Sequence, residues 1–202
     1  VPEYTRAYLE HENMARCVLG GNSLGGHVAL HLALEMPERI AGLVLTGSSG
    51  LFEREVTRPR GANPSREWIQ GTIRGIFYDE AMVTDKLIDN ACRVIYTRKY
   101  TRTLISIAKS AKRDNLAEKL KRVRCPVLLV WGRQDEITPP DVAEEFHSLL
   151  PNSELVWLDR CGHAAMMERP REFAEALKPW WRRHVSGNGL MKAASGRQQS
   201  RS

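Results

Sequence analysis

The sequence predicts an α/β protein: a doubly wound, mostly parallel sheet carrying a helical insertion. Three observations predict it. Short apolar runs of strand length alternate with amphipathic helical stretches. The first such run ends in a glycine-rich turn. A polar stretch without strand pattern, residues 51–115, interrupts the alternation between the second and third runs. With 202 residues, 42% of them hydrophobic and 27% charged, the chain can bury a core and does not have the composition of a disordered one.

Taken in order, residues 4–14 read as the end of a helix, and 16–20 as a buried strand closed by glycines. Val28, Leu32 and Met36 fall at helical spacing over 24–36, and Pro37 ends that helix. A second buried strand covers 40–45, followed by the turn Thr46-Gly47-Ser48-Ser49-Gly50. In the insertion, Arg58-Pro59-Arg60-Gly61 and Asn63-Pro64 break the chain early. Ser65 is placed to cap a helix carrying Trp68, Ile69, Ile73 and Phe77. A further helix fits 84–100, with Leu87, Ala91 and Ile95 on one stripe. The third strand, 127–131, restores the alternation. Thr138-Pro139-Pro140-Asp141 then reads as a helix start, with Thr138 as the capping hydroxyl. Residues 154–158 form the fourth strand, and Pro170 opens a last helix reaching His184. The domain reading is a core of 1–50 and 116–185, a helical cap of 51–115, and a disordered basic tail of 186–202.

Charge is unevenly spread. The net charge is +6, yet residues 93–124 alone hold eleven basic residues against two acids. No nucleic-acid-binding motif accompanies that excess, so it reads as a solvated helical face and no nucleic-acid partner is expected. No apolar run approaches the roughly 18–20 residues a membrane span requires, so no membrane partner is expected either. Cys17, Cys92, Cys125 and Cys161 are scattered without a CxxC pair. That pattern fits neither a disulfide framework nor a zinc site and points to a reducing, cytoplasmic setting.

Chemistry concentrates at three places. Gly21-Asn22-Ser23-Leu24-Gly25 is a G-x-S-x-G turn between a buried strand and a helix. There a serine sits on strained backbone with its hydroxyl above the strand ends, and its neighbours must be small. The helix N-terminus behind Ser23 favours developing negative charge. Serine needs a base, and the base needs an orienting acid. His163 lies in a glycine-containing loop after the fourth strand, and Asp135 in a loop after the third, with Asp159 and Glu136 as weaker alternatives to Asp135. All lie at carboxyl ends of strands, where open α/β sheets bind ligands. His27 and His31 are four apart on a helix, a spacing that can bind metal. No carboxylate or cysteine motif in the sequence completes such a site, so they read as helix-face residues and no metal is expected.

The order Ser23, Asp135, His163 and the segments 20–26, 131–135 and 161–163 resemble the α/β-hydrolase fold with a helical cap. The likeness covers 4–184. It implies that Ser23 attacks a carbonyl, His163 shuttles the proton, Asp135 holds the imidazole, and the backbone N–H of Leu24 supplies one oxyanion-hole donor. It also implies a small-molecule substrate and no cofactor. The stretch Gly21-Asn22-Ser23-Leu24-Gly25-Gly26 is most similar to hydrolases of meta-cleavage ring-fission products, which split a carbon–carbon bond. Those enzymes usually carry Trp after the catalytic histidine, where this chain has Ala164. That departure favours a serine hydrolase of small carboxylic esters, with C–C hydrolysis second and a non-catalytic relative of the fold third. Against the family's eight strands, the four here match the last four. The expectation is therefore that the first strands, and the second oxyanion donor with them, lie outside this chain.

Overall fold

The computed structural model describes residues 2–51 and 64–186. Four strands make one sheet: β1 (Cys17–Asn22), β2 (Ile40–Thr46), β3 (Val127–Gly132) and β4 (Ser153–Leu158). Every pairing is parallel, and spatial order follows chain order. β2 and β3 are buried along their whole length, as strands covered on both faces must be. Nine α-helices are described, besides a short 3₁₀ turn at Glu80–Met82: α1 (Pro2–His11), α2 (Leu24–Glu35), α3 (Arg66–Arg74), α4 (Asp85–Tyr96), α5 (Arg98–Arg113), α6 (Ala117–Leu120), α7 (Pro140–Leu149), α8 (Ala165–Glu168) and α9 (Pro170–His184).

The two-residue period of the strands sorts the core into two layers. Leu43, Leu45, Val127, Leu129 and Trp131 face one side, where α2 brings Leu30 and Leu32 and α7 brings Val142 and Phe146. Val44, Leu128 and Val130 face the other side, against Ala165 of α8 and Trp180 of α9. This is the predicted doubly wound arrangement, with the helical cap inserted between β2 and β3. β1 is an outer strand, and among the described residues no strand pairs with its far edge.

The cap segment has a small core of its own. Ile69 and Ile73 of α3 meet Ile88 and Cys92 of α4, flanked by Trp68 and Phe77. Ser65 caps α3 as expected, accepting from the Trp68 N–H at 3.2 Å. One expectation needs correction. The helix read over 84–100 breaks at Thr97, whose extended backbone (ψ 106°) separates α4 from α5. Leu87, Ala91 and Ile95 pack against the cap core as expected, with Ile88 and Cys92 buried deeper beside them. Arg93, Arg102, Lys109 and Arg113 are exposed, as a solvated basic face requires. The predicted breaks at 58–61 and 63, and the tail from 187, lie outside the described residues. No described helix is long and apolar enough to cross a membrane.

Candidate active site

The site assembles where β1, β2, β3 and β4 end. At the end of β1 the chain turns through Ser23, whose φ of 53° and ψ of −123° are the strained values expected of a nucleophile turn. The reason small residues are needed there is specific. A Cβ on Gly21 would lie 2.4 Å from the carbonyl carbon and oxygen of Gly25. Gly25 itself meets nothing, so it is its backbone, not its missing side chain, that Gly21 must clear. Leu24 opens α2, and as the first helical residue its N–H has no intrahelical acceptor.

The loops after β3 and β4 are knitted together. The Gln134 N–H donates to the Cys161 carbonyl, and the Cys161 N–H donates to Gln134 Oε1, each at 3.0 Å. They approach so closely that a Cβ on Gly132 would fall 2.2 Å from the Gly162 carbonyl oxygen. The result is a buried pair. His163 Nδ1 lies 2.9 Å and 3.1 Å from the two carboxylate oxygens of Asp135, and the two residues are 6% and 3% exposed. Asp135 also accepts from the backbone N–H groups of Ile137 and Thr138, each at 2.9 Å. With the Thr138 hydroxyl, which donates to Oδ2 at 2.9 Å, four donors thus hold an otherwise expensive buried carboxylate. The alternative acids are elsewhere: Asp159 pairs with Arg133 at 2.8 Å on the surface, and Glu136 is exposed.

The Ser23 turn is joined to the histidine loop through Asn22. Asn22 Nδ2 donates to the backbone carbonyls of Thr46 and His163, each at 3.0 Å. The Ser23 turn and the histidine loop are thereby fastened at one rim. Among the described residues the Ser23 hydroxyl makes no hydrogen bond, and such bonds often close only around substrate.

Three contributors were not read from the sequence as site residues. Thr138 was read as a helix cap, but α7 begins without a side-chain cap. The Thr138 hydroxyl instead donates to Asp135 Oδ2 at 2.9 Å and stands 3.3 Å from His163 Nδ1. Asn22 sat in the quoted motif without a role. Glu168 is buried, and its two oxygens accept from the Gly162 N–H and the Asp79 N–H, each at 2.6 Å. It therefore ties the histidine loop to the cap segment, which also meets it where the His163 N–H donates to the Ile76 carbonyl at 2.8 Å. No local pattern marks a carboxylate whose partners lie 6 and 89 positions away.

Two cysteine thiols are held well above their ordinary range. Burial, with the Glu168 charge adding to it, pushes the Cys161 thiol up to about 12. Burial pushes Cys125 up to about 11. All four cysteines are free.

A second cluster lies on α2. Asp114, just past α5, hydrogen-bonds His31 Nε2 and lies 3.5 Å from His27 Nε2. The carboxylate missing from the sequence pattern thus arrives from 83 residues away.

A family model described as "Alpha/beta hydrolase family" matches residues 2–176. An uncharacterized hydrolase of Bacillus subtilis, YugF, is 30% identical over 181 residues, which are 84% of this chain and 66% of that protein. A 2-hydroxy-6-oxononadienedioate/2-hydroxy-6-oxononatrienedioate hydrolase of Paraburkholderia phymatum is 29% identical over 187 residues, 85% of this chain and 64% of that protein. Among solved structures, the 2-hydroxy-6-oxo-6-phenylhexa-2,4-dienoate hydrolase of a Rhodococcus species superposes with a TM-score of 0.73 at 27% identity. That match covers 86% of this chain and 66% of the other. The chain thus spans just under two thirds of the length of each of these proteins.

Proposed function

The chain belongs to the alpha/beta hydrolase family, and from that premise we propose that it acts as a serine hydrolase on the carbon–carbon bond of a vinylogous diketone. Ser23, His163 and Asp135 form its triad, and the Leu24 N–H contributes to the oxyanion hole. The observation that carries this reading is the buried Asp135–His163 pair at the same rim as the strained Ser23 turn. The Gly21-to-Gly26 motif and the two 2-hydroxy-6-oxo-dienoate hydrolases above favour C–C chemistry over ester chemistry.

Asp135 engages Nδ1, which leaves Nε2 of His163 to take the Ser23 proton. The Ser23 oxygen adds to the ketone carbonyl, and the oxyanion accepts from the Leu24 N–H. Collapse breaks the carbon–carbon bond and expels a dienolate carbon. That carbon takes the proton from the His163 imidazolium. Water, deprotonated by His163, then cleaves the acyl-serine to a carboxylic acid and restores the hydroxyl. The described part of the cap, 64–115, meets the histidine loop through Ile76 and Asp79 and roofs the pocket.

A second reading, hydrolysis of a small carboxylic ester, is favoured by Ala164 in place of the Trp expected after the histidine. A fluorophosphonate probe tests the shared step: labelling of the wild type and none of Ser23→Ala is expected. Labelling that survives Ser23→Ala overturns the triad. Turnover of a vinylogous diketone against short p-nitrophenyl esters then separates the two chemistries, and faster ester turnover overturns the first.

A further inference from the structure

His27, His31 and Asp114 lie apart from the proposed triad, and the mechanism uses none of them. The two histidines stand one turn apart on α2, with rings stacked at 5.1 Å between centroids and 24° between planes. Asp114 closes the C-terminal end of α5 and turns Oδ2 toward both imidazoles. The three ligating atoms all lie within 4.8 Å of one another. His27 is only 3% exposed, and among the described residues its Nε2 makes no hydrogen bond. The nearest charged atom, Asp114 Oδ2, stands 3.5 Å away, beyond a normal hydrogen bond, so a buried imidazole nitrogen is left for an occupant.

We propose that His27, His31 and Asp114 form a binding site for one divalent transition-metal ion of the zinc type, linking the helix behind Ser23 to the end of the cap segment. The donor set is two imidazoles and one carboxylate, which suits zinc and its neighbours and not magnesium or calcium, ions that take oxygen donors. The spacing suits a tetrahedron. With metal–ligand bonds of about 2.0–2.1 Å, neighbouring ligand atoms stand roughly 3.3 Å apart. The His27 Nε2 to Asp114 Oδ2 separation is 3.5 Å. Entry of the ion takes the place of the His31–Asp114 hydrogen bond, so that pair moves apart while His27 Nε2 gains a ligand bond.

The protonation states agree with this. Burial, and then the adjacent His31, hold His27 below the ordinary imidazole range. Burial works against ionisation of Asp114, but hydrogen bonds from Lys119 and His31 outweigh it and hold the carboxyl below its usual value. A neutral imidazole and an ionised carboxylate are the ligating forms. His27, His31 and Asp114 line a cavity of about 390 Å³ together with Leu24, Ser106 and Ser110, room enough for an ion and a water ligand.

The test is direct binding. The metal-free, untagged chain is titrated near neutral pH with Co²⁺, read by its visible d–d absorption, and Zn²⁺ is then added in competition. One equivalent of Co²⁺ giving four-coordinate intensity, displaced by Zn²⁺, is expected. His31→Gln and the near-isosteric Asp114→Asn should each weaken binding by at least ~10-fold, since changes merely behind a ligand already cost that much. Circular dichroism of the metal-free variants checks their fold, and Asp114→Asn carries the test if His31→Gln unfolds. Absence of the bands, or equal binding by a folded variant, overturns the site. Ser23→Ala should bind Co²⁺ like the wild type, so failure of the metal site and failure of the hydrolase reading are told apart.

Discussion

Thr138 shows how one hydroxyl can serve a site from outside the proposed triad. It donates to Asp135 and stands beside His163 Nδ1, so it limits the directions in which the carboxylate can swing. Thr138→Val removes that donor and leaves a buried oxygen short of one partner, at about 1–3 kcal/mol. A fall in kcat of roughly 10-fold is expected, since 1.4 kcal/mol is a factor of ten, with KM little changed. Asp135→Asn is more severe, because the amide presents the wrong partner to Nδ1, and a loss of about 10⁴-fold in kcat is expected. Steady-state kinetics check both. Cys161 gives a pH dependence. Its thiol is raised from 9.0 to about 12 in the fold, so the native state holds a proton that the unfolded chain releases. The stabilisation is fully present below pH 9.0 and is lost as pH rises toward about 12. The unfolding midpoint should therefore drop across that window, and less steeply in Cys161→Ala.

At the level of elements, the nucleophile turn depends on α2 crossing the end of β1 without a side chain between them. Gly21→Ala places a methyl 2.4 Å from Gly25 backbone atoms, and backbone cannot rotate aside. A destabilisation of about 1–3 kcal/mol or more is expected, read as a lower urea midpoint, with fluorophosphonate labelling of Ser23 reduced alongside. This element was legible in the sequence because its constraint is local: strand, G-x-S-x-G and helix are contiguous. The four strands were legible for a similar reason, each a short apolar run between breakers. What escaped was non-local or ambiguous. Thr138 before two prolines has the form of a helix cap, and only the carboxylate of Asp135 draws the hydroxyl away. Thr97 ends α4 inside a stretch whose periodicity runs on, because the choice between one helix and two is made by packing against α3. Asp114 met His27 and His31 through tertiary structure alone.

For the whole molecule, the sheet is asymmetric in its cover. β2 and β3 are sealed, whereas β1 stands outermost with a free hydrogen-bonding edge among the described residues. An apolar unpaired strand recruits other strands, so the 202-residue chain produced by itself should associate in a concentration-dependent way in sedimentation velocity. Gly20 is exposed on that strand, and a Cβ there meets only the Val44 carbonyl oxygen at 4.0 Å. Gly20→Lys should shift the distribution toward the single chain. The attachment of the cap segment carries a different consequence. The Ile76 carbonyl, and Glu168 through the Asp79 N–H, both end on the loop that presents His163. Any shift of the Ile76–Asp79 segment therefore pulls on the His163 backbone as well, so under the proposed function the fit of a guest and the aim of the imidazole share one mechanical linkage.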